Sequence, residues 1–179
     1  MTTINKYPAS HKDSFGFLGT ALNGVTQWTP AAFRSTGIVL NEIAKGDVFT
    51  YNIQLNHDYN KGVLDGFHIH YIPMTNNSGN VAFTYEWGIY SIGDTIGATL
   101  THTGGSISMP IATAQYKHQY FEIIGNMTPV EPVSYSAFVL VRVSRLNTGA
   151  DTFTGNIALL GADVHYVADR FGSFNEYTD

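Results

Sequence analysis

The chain has no cysteine and little charge: of its 179 residues, 9 are Lys or Arg and 14 are Asp or Glu, 13% in all. Without cysteine there is no disulfide, no thiolate nucleophile and no cysteine-ligated metal, a composition compatible with folding in a reducing cytoplasm. The few basic residues are scattered singly through a chain of formal net charge −5, so no basic stripe exists to displace counterions from a phosphate backbone. Direct nucleic-acid binding is therefore not expected. Long apolar runs are also missing. Aliphatic stretches such as Ala137-Phe138-Val139-Leu140-Val141 fall far short of the ~20 residues that span a bilayer, and the opening residues carry polar Thr2, Thr3, Asn5 and Lys6 in place of an apolar leader core. Neither a membrane span nor a standard secretory signal is expected. A charged fraction well below the ~25% of an average soluble domain leaves a surface that is uncharged polar or covered by a partner, which points to assembly.

What the chain does have is 44% hydrophobic residues, with 11 Tyr, 11 Phe and 18 Gly. Aromatic side chains suit a pleated, half-buried surface and Gly serves the corners between strands. Apolar and polar residues alternate with period two from Val48 onward, and no long stretch holds a 3.6-residue stripe. The expected fold class is all-β, an antiparallel β-sandwich. Phe49, Tyr51, Ile53 and Leu55 share one strand face against Thr50, Asn52 and Gln54, with a turn over 56–62. Phe67, Ile69 and Tyr71 alternate with His68 and His70 until Pro73 removes a ladder donor. Val81, Phe83, Tyr85, Trp87 and Ile89 form the strictest alternation, and pairing this strand with the preceding one as a hairpin is the preferred arrangement. Further strands are expected over 98–101, 115–124, 134–143 and 155–167. The segment 138–143, apolar on both faces, is expected in the middle of a sheet or under an interface.

The first 45 residues read differently and are set apart as an N-terminal arm and lead-in, with residues 46–179 forming the sandwich domain. Residues 1 to about 20 mix polar and aromatic residues without sustained alternation, as an extended arm or a disordered terminus would. Thr29-Pro30-Ala31-Ala32-Phe33 has the pattern of a short helical turn, with Thr29 as cap and Pro30 in the first helical position.

His68 and His70 are the candidate metal ligands. Two apart on a strand, they project from the same face about 7 Å apart and could chelate an ion with a third ligand from a neighbouring strand. His102, His118 and His165, with Glu86 and Glu122, are the groups available to complete such a site. The plainer alternative is a polar sheet face or an intersubunit seam, since histidines satisfied by ordinary hydrogen bonds outnumber ligands. Gly62 followed after five residues by His68-Ile69-His70 matches the opening of the first cupin motif. The glutamate that should follow is replaced by Met74 or Thr75, however, and the second motif fails around Gly105, Pro110 and His118. A cupin-like metal-dependent enzyme is thus the runner-up. Trp28, Trp87 and Tyr90 would be the platforms of a third alternative, a carbohydrate-binding tail or fibre protein, although Trp87 is expected in the core. No serine elbow, phosphate-binding loop or glycosidase carboxylate pair is present, so no catalytic residue and no cofactor is assigned. Asp151, Asp163 and Asp169 lack the dense oxygen-ligand loop of a calcium site and read as turn and strand-edge residues.

Three groups of residues, in this order, resemble a family of tailed-bacteriophage virion-associated structural proteins. The first is Gly66-Phe67-His68-Ile69-His70-Tyr71 followed by the Trp- and Tyr-rich strand Val81 to Tyr90. The second is Arg142 to Arg145 before the Asn147-Thr148-Gly149-Ala150-Asp151 corner. The third is Asp151-Thr152-Phe153-Thr154-Gly155-Asn156, Ala158-Leu159-Leu160, Asp163-Val164-His165-Tyr166, Asp169, Gly172-Ser173 and Glu176. The resemblance runs from Val48 to Glu176 and rests on pattern and order, without an active-site motif. It implies a jelly-roll-like sandwich, a symmetric oligomer of trimeric type, and a non-enzymatic place on the virion, made in the host cytoplasm. The implied role is a capsid decoration, cement or head-fibre component whose partners are its own copies and the major capsid protein. The chain departs from the family in having little charge around Phe153 to Gly155, which weakens an expectation of ion binding there.

Overall fold

Strands whose inward residues are large and apolar need a second sheet to cover them, and this chain supplies two. The computed structural model describes residues 10–19, 28–97, 99–111, 114–127 and 136–168, and among these every regular element is a strand. In chain order they are β1 (Ser10–Leu18), β2 (Thr29–Ala32), β3 (Val39–Ile43), β4 (Val48–Gln54), β5 (Tyr59–Pro73), β6 (Gly79–Tyr90), β7 (His102–Thr103), β8 (Ile107–Ile111), β9 (Gln119–Ile124), β10 (Phe138–Arg145) and β11 (Ile157–Ala168). No helix among them is long and apolar enough to cross a membrane.

All pairings are antiparallel. The front sheet runs β1-β11-β5-β9, with β3 and then β2 continuing from the β11 edge beyond the end of β1. The back sheet runs β4-β10-β6-β8, with β7 also on the β6 edge. β1 stitches the two together: Ser10 to Gly16 pair with β11, and Phe17 and Leu18 pair with Asn52 and Tyr51 of β4. If the β2–β3 pair and the two-residue β7, which extend the sheet margins, are set aside, the remaining eight strands counted along the chain lie as 1-8-3-6 in one sheet and 2-7-4-5 in the other. This is the double-Greek-key connectivity of a jelly roll, so the all-β sandwich expected from alternation is the fold observed.

The core lies between the sheets. Tyr51 of the back sheet meets Phe67 of the front sheet at 6.0 Å between ring centroids, Phe83 meets Phe121 at 5.8 Å, and Tyr71 stacks on Phe121 at 4.0 Å. Full burial of one such aromatic contributes roughly 1.5–3 kcal/mol. β10 lies centrally between β4 and β6, the place its apolar sequence requires.

Several expectations are corrected. The strand carrying His68 does not form a hairpin with Val81–Ile89; β5 and β6 lie in opposite sheets, since alternation identifies an apolar face without saying whether its neighbour lies beside or across. Thr29–Ala32 is a strand paired with Val39–Glu42, not a helical turn, because an isolated turn has no interior to bury and β3 offers a ladder. Residues 10–18 of the expected arm pair within their own chain, from Ser10↔Ala168 to Gly16↔Ala162; residues 1–9 lie outside the described residues. Residues 99–101 form no strand, β8 is an additional one, and β5 starts at Tyr59 inside the expected turn.

One end of the sandwich is closed by Arg145, the last residue of β10, whose side chain is fully buried with that of Asp151. Its Nε donates to Asp151 Oδ2 at 2.8 Å and its Nη2 to Asp151 Oδ1 at 3.2 Å, while further N–H groups donate to the carbonyls of Ile43, Phe153 and Gly155 at 2.9–3.0 Å. Asp151 does close a turn, its amide donating to the Thr148 carbonyl at 3.0 Å, and it is also a buried ion-pair partner. Removing one member of a buried pair leaves the other uncompensated, at a cost of about 3–5 kcal/mol. Arg145→Ala is expected to lower unfolding free energy in urea by about that amount, and Arg145→Lys to recover little of it, because an ammonium lacks the guanidinium fork. A loss below ~1 kcal/mol, the scale of an exposed pair, would show that the corner is held by other contacts.

Candidate functional site

The outer face of the front sheet gathers the titratable residues that its strands turn away from the core. On β5, Phe67, Ile69 and Tyr71 are buried in the core, which sends His68 and His70 outward. On β11 the inward residues are Ile157 and Leu159, then Ala162, Val164 and Tyr166. The change of parity comes from a register shift between Leu159 and Gly161, where Leu160 bulges out of the ladder and is 45% exposed. A bulge adds one residue to one strand and reverses the facing of everything beyond it. Asp163 and His165 are thereby turned outward. Cross-strand register then aligns Phe15, Asp163, His68 and Glu122 across β1, β11, β5 and β9, with Asp13 opposite His165 and Tyr120 opposite His70. Together these residues line a cavity of about 300 Å³.

Asp163 is the hub, 2% exposed although it faces outward. Its Oδ1 lies 2.8 Å from His70 Nε2 and its Oδ2 3.0 Å from His165 Nε2. An ionised carboxylate only accepts, so the facing nitrogen of each histidine carries the proton and donates. His165 Nε2 also reaches Asp13 Oδ1 at 3.1 Å. The remaining nitrogen of His70, Nδ1, lies 2.8 Å from His118 Nε2; with His70 neutral, His118 donates to it. The His68 and His165 rings meet at 4.3 Å between centroids, and His68 packs edge-on against Tyr120 at 5.6 Å. Burial, and next the adjacent His165, hold the His68 imidazole below its ordinary pKa.

His165 and His118 therefore converge on the candidate pair, and Glu122 stands 3.8 Å from His68 Nε2. His102 and Glu86 do not: His102 stacks on Trp87 at 4.0 Å and Glu86 pairs with Arg142 at 3.5 Å, both in the back sheet. Asp163 was read as a strand-edge residue and is instead central, and Asp13 was missed. Asp163-x-His165 has the same period-two signature as His68-x-His70, which was the available signal. Asp169 lies outside the described residues. Of the proposed sugar platforms, Trp87 and Tyr90 are buried and Trp28 packs against the core. Ser136 Oγ lies 2.6 Å from His57 Nε2 with φ of 60°, but Ser136 is 3% exposed and does not line the adjoining cavity.

No protein-family model and no curated protein matches the chain. Among solved structures, dimeric latent PorU from Porphyromonas gingivalis is similar at a TM-score of 0.41 and 13% identity, over 88% of this chain and 13% of the PorU chain. The chain spans about an eighth of PorU, and the likeness is too slight to carry an argument.

Two predictions follow from this geometry. Gly66, opposite His165, has φ of 147°, and a Cβ there would lie 2.6 Å from the Ile124 carbonyl oxygen. Gly66→Ala is expected to destabilise by roughly 1–3 kcal/mol in urea, the scale of one strained backbone position; an unchanged midpoint would show that the strand relaxes freely. Because the fold favours neutral His68, the unfolded chain takes up a proton first as pH falls through the ordinary imidazole value of 6.5. The stability this histidine contributes is full above that value and is lost below it. His68→Gln should flatten the fall in urea midpoint between pH 8 and pH 5 in chelator-treated protein, whereas parallel profiles would refute the assignment.

Proposed function

We propose that the chain is a non-enzymatic structural protein of a tailed-phage particle, a homo-oligomeric jelly roll of the capsid decoration or cement type. The observation that carries this reading is the strand order. The residues that resemble phage virion proteins imply a jelly-roll-like sandwich, and eight of the described strands fall into that order. Jelly rolls also serve as lectin and cupin domains, so the order alone does not choose between them. Two further features favour assembly. Large apolar side chains stand in solvent on the sheet faces and edges, with Phe15 at 70%, Tyr120 at 65% and Val39 at 61% exposure, in a chain with few charges to keep copies apart. The candidate histidine pair also lies on the outer face of the front sheet, where a neighbouring copy could reach it.

The test is a census of intact purified particles of the phage that encodes the chain, by quantitative mass spectrometry against the major capsid protein. Copies in proportion to the capsid lattice are expected, and a handful per particle would move the chain to the tail or a fibre. Absence from particles would overturn the reading.

A further inference from the structure

We propose that His68, Asp163 and His165 bind one divalent metal ion of the zinc type on the outer face of the front sheet, a site that does not depend on the particle reading. The candidate ligand atoms of the three residues lie within 4.8 Å of one another. Zinc takes imidazole nitrogen and carboxylate oxygen at about 2.0–2.2 Å, so donors around one ion are at most ~4.4 Å apart. Closing the site therefore asks for small side-chain rotations and for release of the His165 Nε2 proton to solvent, so that the ion replaces the hydrogen bond from this nitrogen to Asp163. Two imidazoles and a carboxylate are a donor set that zinc and its first-row neighbours accept, and there is no thiolate to divert a softer ion.

Three further features argue for an ion over a simple hydrogen-bonded patch. His68 and Asp163 are already largely withdrawn from water, at 9% and 2% exposure, so two ligands are held before an ion arrives. Asp163 is also oriented from behind. His70 holds Oδ1 and is itself held by His118, both at 2.8 Å, leaving Oδ2 directed toward His165, the arrangement in which outer groups fix a metal-binding carboxylate. Finally, the described lining of the cavity contains the carboxylates of Asp13, Glu122 and Asp163 but neither Lys nor Arg. Among the described lining residues, histidines alone are available to balance them. The fourth coordination position opens on this cavity, with the half-exposed Glu122 beside it.

The experiment uses the untagged full-length chain, stripped with chelator and titrated with zinc chloride by calorimetry. One ion per chain is expected. His165→Ala, a partly exposed position whose loss spares the core, should weaken binding at least tenfold. His118→Ala should weaken it about tenfold through the outer shell. His102→Ala, on the opposite sheet, should leave it unchanged. X-ray absorption on the zinc-loaded chain should show imidazole scattering with nitrogen and oxygen at about 2.0–2.2 Å. No binding at millimolar zinc, or equal affinity in the His165 and His102 variants, would overturn the site.

Discussion

The buried pair of Arg145 and Asp151 is the constraint on which the two-sheet architecture turns. A jelly roll sends most successive strands to opposite sheets, so its ends are crossed by connections whose backbone groups need partners. At this end the guanidinium serves as that partner. It ends β10 in the back sheet, donates to the Asp151 carboxylate in two-point contact, and donates to carbonyls at the end of β3 and in the approach to β11, both strands of the front sheet. Asp151 Oδ2 in turn accepts from the Ala82 amide of β6, and Lys45 lies 3.3 Å from Oδ1. A hydrophobic pair of equal volume would fill the space and leave those carbonyls without donors, which is the argument for an ionic solution at a site where desolvation is costly.

The corner that Arg145 holds delivers β11 into the middle of the front sheet, and β11 is what builds the candidate site. It pairs with β3 and then β1 along one edge and with β5 along the other, so it fixes the lateral position of every histidine on that face. The bulge at Leu160 is the local decision. With strict alternation from Ile157 onward, Asp163 and His165 would point into the core, where an aspartate without a cationic partner is costly. The extra residue restores an apolar interior through Ala162, Val164 and Tyr166 and places both polar residues against His68 and His70. Packing and site formation are therefore settled by the same inserted residue.

Much of the sandwich was legible because period-two alternation directly reports one buried face. Val48 to Gln54, Phe67 to Tyr71 and Val81 to Tyr90 give that signal, β10 gives instead a continuous apolar run, and all are strands. Elements whose stability comes from a neighbour's ladder escaped. Thr29–Ala32 and Ile107–Ile111 contain prolines and exposed positions, and they are strands because β3 and β6 offer edges. Connectivity escaped for a related reason: Phe67 and Phe83 carry the same apolar signature whether their strands lie side by side or face to face. The His68–His70 pair was visible as a spacing, whereas the identity of its carboxylate partner depended on which strand lies beside β5. Asp163 could be named only once β11 occupied that place, and its facing only once the bulge was counted.

The distribution of polar groups separates what folds the chain from what it offers to other molecules. The interior is closed by aromatic contacts and one satisfied ion pair, and the clustered histidines and carboxylates lie outside it on the front sheet, beside exposed Phe15 and Tyr120. An exposed histidine–carboxylate face contributes little to holding two sheets together, and burying Asp163 there draws on hydrogen bonds from His70 and His165 that a plain surface would not supply. The proposed assembly through the flanking aromatics and the proposed ion at His68, Asp163 and His165 make separate demands on this one face: the first needs apolar area at its rim, the second preorganised donors at its centre. The register of β1, β11, β5 and β9 provides both, while Phe67, Ile69, Val164 and Tyr166 fill the core from the opposite face of the same strands.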